Sequence, residues 1–229
     1  MVNLSYALRK YAAVFSIAAA CTLALFPSDT EAVPRQDKAP KVPMDIYQWV
    51  QASPRTSYYF NKKYISFQVE KDGKVDVDIL LVPILRTYDH IQVADIIAKR
   101  RWHQQDWEDL DDLLAAEANH VIIDKAKRTV TVRDSILLTE NFDHLFNEPS
   151  GRIIELDKLS ELNLERRFYE EILKFAFDST DVIIANTKGT LTEDDHKKLA
   201  AEKKAEDKRR KAAEKAAAKA KAAAVDNSY

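Results

Sequence analysis

Glycine and cysteine are scarce in this 229-residue chain, which holds 3 Gly and 1 Cys. At average usage a chain this long would carry about sixteen glycines. A dinucleotide fingerprint or a phosphate-cradling loop needs several glycines within a few positions, because backbone must approach phosphate closely and adopt φ > 0. Gly73, Gly151 and Gly189 each stand tens of residues apart, so neither motif can be built. A single cysteine excludes intramolecular disulfides, CxxC redox motifs and Cys-rich zinc sites. No G-x-S-x-G elbow occurs, and no two histidines are spaced i,i+4 as in a zincin helix.

What is present begins with an address. Arg9 and Lys10 precede an apolar run from Tyr11 to Phe26, which Pro27 ends, and Thr30-Glu31-Ala32 then supplies small residues at the two positions a signal peptidase reads. That order describes a secretory signal over residues 1–32, cleaved after Ala32. The run is shorter than the ~20 residues that span a bilayer, so a retained anchor is the lesser reading. Ala18-Ala19-Ala20-Cys21 resembles a loose lipobox, but Thr22 to Phe26 stays apolar where a lipoprotein turns polar. Cys21 is therefore read as part of the signal, leaving a mature chain with no thiol. Export without disulfides points to the periplasm or cell envelope of a bacterium.

Residues 33–43 hold Pro34, Pro40 and Pro43 among charges and read as a linker. Residues 44–191 form the expected globular domain. Within it Tyr58 to Glu70 and Lys74 to Leu85 both alternate. A three-residue Lys71-Asp72-Gly73 loop sets Val69 opposite Val75, Phe67 opposite Val77 and Ile65 opposite Ile79, keeping one face apolar. Pro83 is expected at an edge or near a strand end, since it cannot donate to a ladder. Asp89 caps an expected helix from His90 to Arg101 with Ile91, Ala94, Ile97 and Val93 inward, and Asp106 caps a second with Trp107, Leu110 and Leu114 on one side. Val121–Ile123 and Thr129–Val132 form a second hairpin, pairing Ile123 with Val130 and Val121 with Val132. Ser135 to Phe146 reads as helical around Leu138, Phe142, Leu145 and Phe146, and Ile153-Ile154 as a short strand. Asn163 to Phe177 is an amphipathic helix continuing through Ile183-Ile184 to a stop at Gly189. The fold class is α+β: antiparallel hairpins packed with several helices, followed by a long Ala/Lys-rich C-terminal helix.

The candidate chemistry is sparse. His90, His103 and His144 each have an aspartate close by and define an alternative reading, a periplasmic hydrolase with a metal assembled in space. Because Asp89 and Asp106 already serve as helix caps, the preferred reading assigns no metal, no cofactor and no catalytic residue. Asp106, Glu108, Asp109, Asp111, Asp112 and Glu117 read as a solvated acidic helix face, without the alternating Asp/Asn loop that calcium needs. Aromatics cluster at Tyr47, Trp49, Tyr58, Tyr59, Phe60, Tyr64 and Phe67. Tyr58 and Tyr59 point to opposite strand faces, so one of them is a candidate ring for stacking a ligand.

The tail, residues 192–229, is the most unusual segment. Thr192 with Glu193, Asp194 and Asp195 forms a helix start, and no Gly or Pro interrupts the chain beyond it. The tail carries 11 basic and 8 acidic residues. With the signal region balanced and −2 overall, residues 33–191 hold about −5. Lys208, Arg209, Arg210, Lys211, Lys215, Lys219 and Lys221 face only Glu214 between positions 208 and 224. Beyond Leu199 the apolar content before Val225 is alanine, so the coiled-coil-like helical tail lacks a coiled-coil seam. The expectation is a non-enzymatic binding protein whose low-complexity tail grips an envelope polymer or an anionic membrane surface, with a protein as a further partner. Specific nucleic-acid recognition is not expected, because no aromatic precedes Tyr229 in the tail to stack a base.

Overall fold

A computed structural model describes residues 40–110 and 113–226, with the side chains of 109, 213–214 and 216–226 left out. The expected signal and all but the last four residues of the expected linker lie outside the described residues, as do Asp111 and Asp112. Among the described residues seven strands form one antiparallel sheet: β1 (Tyr47–Ala52), β2 (Thr56–Asn61), β3 (Ser66–Val69), β4 (Val75–Tyr88), β5 (Ala116–Asp124), β6 (Thr129–Leu138) and β7 (His144–Glu155). Their order is β1-β2-β4-β5-β6-β7, with β3 also paired to β4. The helices are α1 (His90–Trp102), α2 (Leu164–Asp178), α3 (Thr180–Asn186) and α4 (Glu193–Asp226). The chain is α+β, as its mixed periodicities predict.

One face of the sheet carries the main core. Phe60, Leu80, Val82, Ile84, Val121, Ile123, Val130 and Val132 pack there against Phe168, Tyr169 and Ile172 of α2, Ile183 of α3 and Leu199 of α4. A second cluster brings Val93 and Ile97 of α1 against Leu110, Leu114 and Leu137. A third, smaller cluster of Leu85, Ala116 and Leu138 is covered by Val42, Tyr47 and Phe142.

Both hairpin turns follow the expected logic. Val69 pairs with Val75, and Glu70 donates its N–H to the Lys74 carbonyl at 2.8 Å around a loop in which Gly73 has φ +85°. Ile123 pairs with Val130 and Val121 with Val132. Beyond the first turn the register departs from expectation. A bulge in β4, where Asp76 Oδ1 accepts the Asp78 N–H at 2.9 Å, sets Phe67 opposite Leu80 rather than Val77. Ile65 falls outside the strand altogether.

The expected strand from Tyr58 to Glu70 is two strands. Asn61 Oδ1 accepts the N–H groups of Lys63 and Tyr64, both at 3.1 Å, and this turn ends β2. The break is needed because Phe60 and Ile65 lie an odd number of residues apart yet share one core, which a continuous strand forbids. Beyond it, β3 is covered by side chains of the α3 terminus. Thr187 Oγ1 accepts the Phe67 N–H at 3.0 Å, and Asn186 donates to the Ile65 carbonyl at 3.0 Å.

Pro83 sits mid-sheet rather than at an edge. It pairs with His120 on β5, while on its other flank β3 ends its pairing at Leu81 and β2 begins at Ile84. The His120 N–H is turned to Asp134 of β6. The missing proline donor therefore faces the seam between two strands, where no carbonyl waits for it.

Four helical expectations are corrected. In α1 the inward residues are Val93, Ile97 and Arg100, with Ile91 and Ala94 exposed, although Asp89 does cap it, accepting the Gln92 N–H at 2.7 Å. Among the described residues after Asp106 the one helical element is a 3-10 turn, Glu108–Leu110, and the Ala115 N–H already bonds the Leu138 carbonyl as β5 begins at Ala116. Ser135–Phe146 is strand, turn and strand. A tight reversal closed by Thr139 and Asp143 spaces Leu138, Phe142 and Leu145 in imitation of a helix.

The helix from Leu164, capped by Asn163, stops at Asp178, and α3 starts anew at Thr180. Gly189 is not its stop signal. A Cβ there would meet Val75 Cγ2 at 2.6 Å, so glycine lets this strap lie against the first hairpin, where the Thr190 N–H bonds the Gly73 carbonyl at 3.0 Å. Gly151 has φ +67° within β7.

Candidate functional site

Among the described residues a charged network in the sheet, a cleft beside α1 and the C-terminal helix are the regions to weigh as a site. The first is a buried network within the sheet. Arg86 of β4 is the register partner of Glu117 on β5, their nearest charged atoms being 3.9 Å apart, and each side chain is about one-sixth exposed. Glu117 also accepts from the Tyr88 hydroxyl, from Asn119 at 2.7 Å and from Ser135 at 2.7 Å. Burial alone would raise the Glu117 pKa. Arg86 and these three donors outweigh burial and hold the carboxyl below its usual range. Burial pushes Tyr169, beside Arg86, up to about 12 and lifts Tyr88 well above its ordinary value. Both carboxylate oxygens of Glu117 are engaged within this network. The residue acts as an electrostatic pin joining β4, β5 and β6. The sequence places Glu117 on a solvated helix face; the structure puts it in a strand, because the expected second helix does not form.

The second region is a cleft of about 280 Å³ beside the end of α1, walled by Trp107, Leu110, Leu145 and Phe146, with Asp106 and Glu108 at its rim. The chain's own arginines stack on both rings: Arg101 lies 3.6 Å from the Trp107 centroid, and Arg100 lies 4.9 Å from that of Phe146. Arg100 is itself buried, donating to the Asp106 carbonyl and to Glu148, both at 2.6 Å.

The tyrosines separate as strand geometry requires. Tyr58 faces the core, its ring 5.5 Å from Phe168. Tyr59 faces the other side, half-buried against the Leu85 cluster and opposite Trp49, which is 50% exposed. Of the two candidate stacking rings, Tyr59 stands on the side away from Phe168, with Trp49 as its neighbour.

The histidines do not gather. His90 opens α1, His103 caps its far end and His144 starts β7, all three exposed. Among the described residues no group of three His, Cys, Asp or Glu side chains could hold a metal ion. His120 does form a pair, its ring Nδ1 2.9 Å from Asp134 Oδ2, in a stretch where the ladders on both flanks of β6 are bulged.

The tail is the third region. Thr192 and Asp195 cap α4 reciprocally: Thr192 Oγ1 accepts the Asp195 N–H at 3.2 Å, and Asp195 Oδ2 accepts the Thr192 N–H at 2.8 Å. At 1.5 Å per residue the 34-residue helix is about 51 Å long. Its first half is docked. Leu199 is buried in the main core, Glu202 meets Lys125 at 2.6 Å, Lys198 meets Asp78 at 2.6 Å, and Arg210 meets Asp178 at 2.6 Å. Of the tail cations singled out in the sequence, Arg210 is thus engaged with the body and Arg209 with Glu206 of its own helix at 3.4 Å. Lys208, Lys211 and Lys215 are exposed, and no ion pair joins them to another described residue. The side chains of Lys219 and Lys221 lie outside the described ones. Sequence reasoning missed the docking stripe of Leu199, Glu202, Glu206 and Arg210; its one signal is the 3- and 4-residue spacing that starts from the single leucine of the helix.

Among the described residues no helix is long and apolar enough to cross a membrane. Comparison with known protein families, characterised proteins and solved structures finds no match for this chain.

Proposed function

We propose that the protein is an exported, cell-envelope-associated binding protein that works without catalysis, and that its basic C-terminal helix tethers it to polyanionic envelope material. The signal-like first 32 residues support export. The observation that carries the tether is the one-sided docking of α4. The body holds the helix through Leu199, Glu202 and Arg210, and leaves Lys208, Lys211 and Lys215 facing solvent. A rigid attachment with an unpaired basic face directs charge outward, where a folded-back tail would neutralise itself against the acidic body.

The hydrolase alternative gains no support from His90, His103 and His144, which stand apart at separate element ends. The test is fractionation. Deleting residues 211–224, which begin just past the body contact of Arg210, is expected to release the protein from the envelope fraction, and a moderate salt wash is expected to release the intact chain. Retention of the deleted form in the envelope would defeat the tether.

A further inference from the structure

We infer that α4 presents a lysine stripe shaped to lie flat on an anionic lipid bilayer, an inference that rests on the tether reading above and names its partner. At 3.6 residues per turn, Lys204, Lys208, Lys211 and Lys215 fall within an arc of about 60°. The docked residues Lys198, Leu199, Glu202, Glu206 and Arg210 fall within another arc of about 120°, and the two arcs are centred nearly opposite each other. Solvent exposure follows the same division. Leu199 is buried and Glu202, Glu206 and Arg210 are half-buried, whereas all four lysines are exposed. The helical position of Lys219 continues the stripe.

Each property of the stripe points to a planar anionic partner. Four ammonium groups spread over about 16 Å of a straight helix form a line, and a line on the side away from the body meets a plane without steric conflict. On the docked side Glu202, Glu206 and Asp178 are each paired with Lys125 or Arg210, so the basic charge left to meet an anion lies on the outer side of the helix. Beyond Leu199 alanine is the apolar residue of the helix before Val225, so the contact is made by charge at the headgroups without burial of large apolar side chains. A flexible polyanion, by contrast, would follow charge around the helix and would use Lys203, Arg209 and Lys221, which lie off the stripe, as readily as the stripe itself.

The test uses the full chain and vesicles of phosphatidylcholine with about one-third phosphatidylglycerol, a composition giving a surface potential that attracts lysines. The variant Lys208→Gln, Lys211→Gln, Lys215→Gln removes three charges on the stripe. The variant Lys203→Gln, Arg209→Gln, Lys221→Gln removes three off it. Partitioning of the stripe variant is expected to fall on the order of 100-fold, and that of the off-stripe variant by only a few-fold. Equal losses would overturn the stripe. Tight binding of the intact chain to soluble polyphosphate with none to vesicles would overturn the bilayer as partner and leave the tether standing. Binding to neither would overturn both.

Discussion

Glu202 of α4 places its carboxylate 2.6 Å from the ammonium of Lys125, and the same nitrogen lies 5.6 and 5.7 Å from the ring centroids of Phe67 and Phe177. Lys125 is only 9% exposed. The pair therefore forms where the tail helix seals the margin of the core, next to Leu199. Together with Leu199 in the core and the Arg210–Asp178 pair, it sets the rotation of α4 about its own axis, and so which lysines look outward.

That relationship predicts how the helix comes loose. Leu199→Ala is expected to destabilise the protein by about 2–3 kcal/mol, the usual cost of truncating a buried leucine. Glu202→Gln, which leaves a nearly buried ammonium without its counter-charge, is expected to cost about 1–3 kcal/mol. Urea midpoints measure both. A Leu199→Ala midpoint indistinguishable from that of the parent chain would mean that α4 is not docked.

The Arg86–Glu117 pin predicts both a stability loss and a pH dependence. Glu117→Gln removes one of the two carboxylates near Arg86, leaving Glu165 at 3.8 Å, and should cost about 1–3 kcal/mol. The Glu117 pKa is depressed in the folded protein. Its contribution is therefore full above the unfolded carboxyl value of about 4.3 and is lost as pH falls through the lower folded value. Urea midpoints between pH 3 and 7 should decline on the acid side in the parent chain, and decline less steeply in Glu117→Gln. Identical acid slopes would contradict this assignment.

Gly189 and Gly73 separate two reasons for glycine. Gly189→Ala places a methyl 2.6 Å from Val75 Cγ2 and 3.1 Å from Val69, against side chains of the hairpin, and should cost about 1–3 kcal/mol through overpacking. Gly73→Ala meets nothing within 4 Å but holds alanine at φ +85°, with an expected cost of about 1 kcal/mol from backbone strain alone. Thermal melts of the two variants test the order. A Gly189→Ala variant as stable as the parent would show that the strap does not press on the hairpin.

How far the sequence can be read depends on whether a local pattern has one solution. The Lys71–Gly73 turn and the pairing of Ile123 with Val130 are legible because a one-residue slip would expose an apolar face. Asp89 and Thr192 are legible as caps because their chemistry is local. The strand from Ser135 is not, since Leu138, Phe142 and Leu145 reproduce a helical spacing through a tight reversal. Glu117 reads into the wrong environment for a related reason: its partners Arg86, Asn119 and Ser135 stand on three strands, and only the sheet brings them together. At the candidate site, the charge of the tail is legible but its orientation is not. Which lysines face outward is set by the long-range contacts of Leu199 with the core, Glu202 with Lys125 and Arg210 with Asp178.

The tether is tested most directly by binding of the purified chain to anionic vesicles at rising salt, with and without residues 211–224. The intact chain is expected to bind and to lose affinity steeply between about 50 and 200 mM salt, as release of screening ions requires (roughly tenfold or more for several lysine contacts). The shortened chain is expected not to bind at any of these concentrations. Binding of the shortened chain as tight as that of the intact one, or binding that salt leaves unchanged, would contradict the tether.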